Sequence, residues 1–123
     1  MTDRLEATLA AIDTANADDP NRLVVRGVAR PKALGEAELA TEWVRQLVPG
    51  PSDELRVAVR AHHLRRWNVP RASYPDGRAG YLRWRRDLHE IHATDVAAIM
   101  DAHGWSADEI GRASCRERVS NCV

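Results

Sequence analysis

Between Arg60 and Ala93 the residue types that do chemistry crowd together. The stretch reads R-A-H-H-L-R-R-W-N-V-P-R-A-S-Y-P-D-G-R-A-G-Y-L-R-W-R-R-D-L-H-E-I-H-A. Arg71 and Arg78 flank a Tyr74-Pro75 turn. Guanidinium groups on a loop held by prolines suit bidentate contact with phosphate or carboxylate. Trp67, Tyr74 and Trp84 offer faces on which a base or a cation can stack. His63 and Arg66 share a helical face, as His62 and Arg66 do. Arg85, His89 and His92 form a second such row. These residues predict a site for an anionic, phosphate-bearing ligand built from His63, Arg66, Trp67, Arg71, Tyr74, Arg78, Trp84, Arg85 and His92.

Two histidines three apart can also chelate a divalent cation, but a metal site needs a third ligand. His63 and Asp95 are the candidates for it, and no metal site or cofactor is assigned. Structure makes its own demand on the same groups. A buried polar group without a partner costs roughly 1–3 kcal/mol, so the His/Arg cluster must meet either a carboxylate of the protein or a ligand.

Charge points the same way. The net charge is zero, but residues 1–55 hold six basic and ten acidic groups, and residues 56–86 hold nine arginines against Asp76 alone. Residues 87–109 then hold six acids and no Lys or Arg. The arginines can pair with the acidic segments across helix interfaces, attract an anion, or do both. Zero net charge makes nucleic acid a weaker expectation than a phosphorylated small molecule or nucleotide. No apolar run is long enough to span a membrane. The opening M-T-D-R-L-E carries acids where an export signal would not, so the expected location is cytoplasmic.

Helices must position these residues. Leu5, Leu9 and Ile12 predict a helix over 3–15 behind Thr2 as N-cap. A-N-A-D-D-P-N (15–21) breaks it. L-V-V-R-G-V (23–28) has no visible pairing partner and is read as loop. A second helix is expected over 33–48, with Leu39, Trp43, Val44 and Leu47 inward, and Pro49-Gly50-Pro51 ends it. Ser52, Asp53 and Glu54 suit the start of a third helix, which runs to Trp67 and is apolar nearly all round. Pro70, Pro75 and Gly77 enforce a loop over 68–78. A fourth helix over 79–102 places Tyr81, Trp84, Leu88, Ile91, Val96 and Ile99 near one face, and Gly104 terminates it. S-A-D-E (106–109) is a capping box that announces a fifth helix. The expected fold is all-α: a single compact domain of four to five helices, with a Pro-rich loop between the third and fourth.

The C-terminal letters stand apart. I-G-R-A-S-C-R-E-R-V (110–119) resembles the translation of a common sequencing-adapter oligonucleotide, and Cys115 and Cys122 both lie in residues 110–123. The expectation is one domain over 1–109, incomplete at its C-terminus, followed by a non-native tail over 110–123. With no cysteine in the body, no disulfide or thiolate site is inferred.

I-D-T-A-N-A-D-D-P-N (12–21), the P-G-P-S-D-E-L-R-V-A-V-R-A-H-H-L-R-R-W run (49–67) and P-R-A-S-Y-P-D-G-R-A-G-Y-L-R-W-R (70–85) together resemble the domain of unknown function 4202 family of bacteria and fungi. The resemblance covers nearly all of residues 1–109 and implies a soluble, all-helical protein with no established reaction. In the family pattern position 62 is usually Gln and position 89 is usually not His, which favours His63 and His92. The order helix, His, loop, helix also resembles the metal-dependent HD phosphohydrolases, with Leu64 where they carry Asp; that is the alternative expectation. A protein-interaction scaffold, with the Arg/Trp loop as its contact, is the second alternative. No P-loop, G-x-G-x-x-G, G-x-S-x-G or H-E-x-x-H occurs.

Overall fold

The structure, a computed structural model, describes residues 3–114. Five helices, α1 (Arg4–Asn16), α2 (Lys32–Leu47), α3 (Asp53–Arg60), α4 (Arg78–Ala102) and α5 (Ala107–Ser114), carry most of them. Two short strands, β1 (Arg22–Val25) and β2 (Val28–Pro31), join α1 to α2. The class is thus mainly helical as expected, with a hairpin where a loop was expected.

Helix α1 begins on Asp3, whose Oδ1 accepts the Glu6 N–H at 2.8 Å. Thr2, the expected cap, lies outside the described residues. The hairpin pairs Leu23 with Arg30 and Val25 with Val28 in antiparallel register. Its two-residue turn is Arg26-Gly27, with φ of 50° and 80°. Both values are positive, as a tight hairpin turn of this twist requires. Arg at the first position hides a turn that Asn-Gly would have announced. The partner missing from the sequence reading was the next four residues.

Helix α2 has no side-chain cap of its own at Pro31. A residue from before the hairpin supplies it: the buried Asp19 Oδ2 accepts the Ala33 N–H at 2.8 Å, and Oδ1 takes the backbone and side-chain N–H groups of Asn21. A carboxylate suits the positive end of the helix dipole. Trp43 and Leu47, expected inward, are 61% and 70% exposed. Arg60 at the end of α3 reaches Thr41, so α3 lies along this half of α2 and covers one face of it, leaving Trp43 and Leu47 on the outside.

Helix α3 packs against α1, α2 and α5, as the expected central helix should. Ser52 caps it, accepting the Leu55 N–H. It is not apolar all round: Val57 is fully buried, while Leu55 is 36% exposed. It also ends at Arg60 rather than Trp67. From Ala61 the chain tightens into i→i+3 bonds, Leu64 to Ala61 and Arg66 to His63, and Arg65 takes a left-handed φ of 52°. The turn tucks Leu64 into the core and sets His63 beside α2. Tertiary contacts thereby replace the helical bonds that propensity alone would favour. Short 3₁₀ turns over Arg66–Asn68 and Arg71–Ser73 complete the Pro-rich loop.

Helix α4 starts at Gly77 and ends in a Schellman cap. Trp105 N–H reaches the Met100 carbonyl and Gly104 N–H that of Asp101, with Gly104 at φ 84°. Ala93, Val96 and Met100 bury its second half, whereas Tyr81 and Ile91, expected inward, are 41% and 43% exposed. The Pro-rich loop lies over the first half of α4, through Val69, Tyr74 and Pro75. Loop and helix touch at Gly80, where an added Cβ would lie 1.9 Å from the Pro75 carbonyl oxygen.

The core joins Ile12, Val57, Ala61, Leu64, Val96, Met100, Trp105 and Ala113. Trp105 donates its Nε1–H to Thr8 Oγ1 at 2.9 Å, and Arg4 lies over the indole at 3.9 Å. The capping box forms as read: Glu109 N–H to Ser106 Oγ and Ser106 N–H to Glu109 Oε1. Helix α5 continues past residue 109 to Ser114, with Ala113 and Ser114 buried. Residues 115–123 of the expected tail, Cys115 and Cys122 among them, lie outside the described residues. No described helix is long and apolar enough to cross a membrane.

Candidate functional site

A cleft of about 430 Å³ opens where the start of α2, the turn after α3, the Pro-rich loop and α4 converge. Asp19, Asn21, Lys32, Ala33 and Glu36 form one side; His63, Arg66, Trp67, Val69, Pro70, Arg71 and Trp84 form the other. Five of the nine expected site residues, His63, Arg66, Trp67, Arg71 and Trp84, therefore share one cavity.

His63 makes the central polar contact. Its Nδ1 hydrogen-bonds the Glu36 carboxylate of α2. Burial pushes the imidazole below its ordinary pKa of 6.5, and the Glu36 charge acts against that push. The ring is therefore neutral at physiological pH, donating Nδ1–H to the carboxylate and keeping the Nε2 lone pair free. Its neighbour His62 lies 4.5 Å away, ring to ring.

The cations divide into two kinds. Arg71 holds the loop together: Nη1 donates to the Tyr74 and Pro75 carbonyls at 3.2 and 2.9 Å, and Nη2 to Gly77 at 3.3 Å. Lys32 and Arg66 have no carboxylate partner among the described residues. The Arg66 guanidinium lies 5.6 Å from the Trp84 ring centre. Trp84 is fixed by its Nε1–H, which donates to the Val69 carbonyl at 2.8 Å, so its face is held against the cleft wall.

The other four expected residues do not line the cleft. Tyr74 donates its hydroxyl to Asp87 at 2.6 Å, which raises its pKa and pins the loop to α4. Arg78 opens α4 on the surface. Arg85 donates to the Tyr81 hydroxyl at 3.2 Å. His92 is partly buried, and that burial, with His62, His89 and His63 nearby, pushes its pKa down to about 4. Among the described residues no group of three or more His, Cys, Asp or Glu side chains is placed to hold a metal ion.

Sequence reasoning missed Asp19, Asn21, Lys32 and Glu36. Two signals were present. D-D-P-N reads only as a helix breaker, yet Asp and Asn there return to cap α2. Lys32 is the single lysine among eighteen basic residues, and Glu36 follows it at i+4, on the same helix face.

The family pattern described as Domain of unknown function (DUF4202) matches residues 6–118. The chain belongs to the DUF4202 family. The match begins within the first turn of α1, spans every later helix and strand of the described fold, and takes in all twelve residues that line the cleft. No curated protein and no solved structure matches the chain. For this DUF4202 member, function has to be read from the cleft.

Proposed function

We propose that the cleft binds a small phosphate-bearing ligand, a phosphorylated metabolite or a nucleotide. The observation that carries this reading is the pair Lys32 and Arg66. Both line a concave site and neither has a carboxylate partner among the described residues; Arg66 lies 5.6 Å from the Trp84 ring centre, and Trp67 lines the same cleft. Unpaired cations next to aromatic faces suit a ligand with an anionic group and a planar one. Asp19 does not oppose an anion strongly, because its carboxylate is buried against three N–H donors. Arg71 contributes by shaping the loop.

The HD-like alternative has less support. Leu64, at the position of the metal-binding Asp, is 3% exposed and packs in the core. No carboxylate is available there.

A thermal-shift and calorimetric titration with nucleotides, sugar phosphates and inorganic phosphate tests the reading. Ligand at about 100 times its Kd should add roughly 2.7 kcal/mol of stability. Lys32→Ala and Arg66→Ala should each weaken binding about tenfold or more, with helix content unchanged, since both side chains face solvent-filled space. Equal affinity in both variants would remove the proposal.

A further inference from the structure

We propose that the Glu36–His63 pair makes this cleft a hydrolase for the phosphoanhydride bond of a nucleoside polyphosphate, with His63 as general base and Glu36 as its positioning residue. The inference rests on the anion site proposed above and adds a reaction to it.

Three observations lead there. The first is the direction of the imidazole. Its Nδ1 is held by the Glu36 carboxylate, and no protein group among the described residues bonds Nε2. A carboxylate on one ring nitrogen fixes the tautomer and ring angle, and leaves the other nitrogen as a proton acceptor. The second is location. His63 lines the same cavity as Lys32 and Arg66, and Lys32 stands one helical turn before Glu36 on α2. A phosphoryl group held by those cations would therefore lie in the compartment that Nε2 can reach through one water. The third is the absence of a matching acid. The carboxylates lining the cleft are Asp19 and Glu36, and both are occupied in accepting hydrogen bonds. His63 is the one imidazole in the lining. A sugar or alkyl alkoxide leaves poorly unless it is protonated. A phosphate leaving group needs no such help, which selects the anhydride over the ester.

In the step, a water oxygen attacks the terminal phosphorus while its proton passes to His63 Nε2. The new P–O bond forms as the bridging P–O bond breaks. The bridging oxygen keeps the electron pair and leaves on the shortened nucleotide. Lys32 and Arg66 neutralise the charge that builds on the non-bridging oxygens. His63 then returns its proton to solvent. Trp67 and Trp84 take the base.

The test uses the full chain with ATP and GTP, with and without magnesium, and follows phosphate release beside binding. The proposal expects release in the wild type. It expects His63→Gln to lower kcat by about 10²- to 10⁴-fold with affinity kept within a few-fold, the usual contribution of a general base. It also expects an acid limb in the pH profile below pH 6.5. In Glu36→Gln that limb should move to lower pH, because the lost carboxylate holds the imidazole pKa up. A merely structural Glu36 would change kcat and leave the limb in place. Circular dichroism checks that both variants fold; if His63→Gln does not, the Glu36→Gln profile decides. Nucleotide that binds through Lys32 and Arg66 but is never hydrolysed would overturn this inference and leave the binding proposal standing. So would hydrolysis undiminished in His63→Gln. If nothing binds and nothing is released, both readings fall together.

Discussion

The guanidinium of Arg60 is 16% exposed and meets three acceptors: both Asp13 carboxylate oxygens, at 2.6 and 2.9 Å, and the Thr41 hydroxyl at 3.1 Å. It ties α3 to α1 and α2 in one fork, a geometry that lysine cannot reproduce. Arg60→Ala would leave the Asp13 carboxylate and the Thr41 hydroxyl short of their partner at a half-buried junction. The expected loss is about 2 kcal/mol, below the 3–5 kcal/mol of a fully buried pair. It should be read as a fall in the urea midpoint of about 1 M, with the slope unchanged; an unmoved midpoint would mean that the fork is energetically neutral. Lys32 and Arg66 make the contrast. They have the same charge and no carboxylate opposite, so their substitution should cost ligand and not stability. The pairing reading of the arginine-rich segment is realised at Arg60 and Arg65, and the proposed anion site draws on Arg66. Arg60 meets an acid of the N-terminal segment and Arg65 lies 3.8 Å from Asp95, while Arg66 faces the cleft.

At the scale of elements, the contact between the Pro-rich loop and α4 is the joint on which the cleft depends. Gly80 allows it: any Cβ there would overlap the Pro75 carbonyl oxygen at 1.9 Å, a backbone atom that cannot rotate away. Gly80→Ala should force the loop off α4 and cost about 1–3 kcal/mol, as overpacking does. Because Pro70 and Arg71 line the cleft from that loop, the same substitution should weaken ligand binding at a distance. A crystal structure or hydrogen exchange over residues 68–78 would show the displacement, and a variant with unchanged binding and stability would show that the loop yields freely. Much of this architecture was legible. The Ser52 cap, the Gly104 terminator and the Ser106/Glu109 box are short-range chemistry, and each sits where its residues put it. The misses share one cause. The hairpin, the early end of α3 and the exposed Trp43 depend on what lies across from them, and apolar spacing carries no information about a partner. The same holds for the site. The Arg/His/Trp side was visible because it is contiguous in sequence, while Lys32 and Glu36 enter only through the packing of α2 on the turn after α3.

For the molecule as a whole, acid should loosen the fold in two separable stages. His92, His63 and His89 all have folded pKa values below the ordinary 6.5, with burial as the leading cause. In the window from pH 6.5 down to about 4 the unfolded chain takes up protons that the folded chain refuses. Stability therefore declines as pH falls through that window and stops declining from this source below it. For His92 the gap between 6.5 and about 4 corresponds to about 3 kcal/mol. Glu109 works in the opposite sense and lower down. Arg4 and the Ser106 N–H bind its ionised form and hold its pKa to about 2. What it contributes is complete above pH 4.5 and lost as pH falls toward 2. Since Glu109 and Arg4 meet solvent, salt should weaken this second stage and leave the first largely intact. Urea midpoints measured between pH 7.5 and 2.5 should show both declines. His92→Gln should flatten the upper one, Glu109→Gln the lower one, and 0.5 M salt the lower one again. A midpoint that is level from pH 7 to 4.5 in the unaltered chain would mean that these histidines are solvated, and that α4 does not close over the turn carrying His62 and His63.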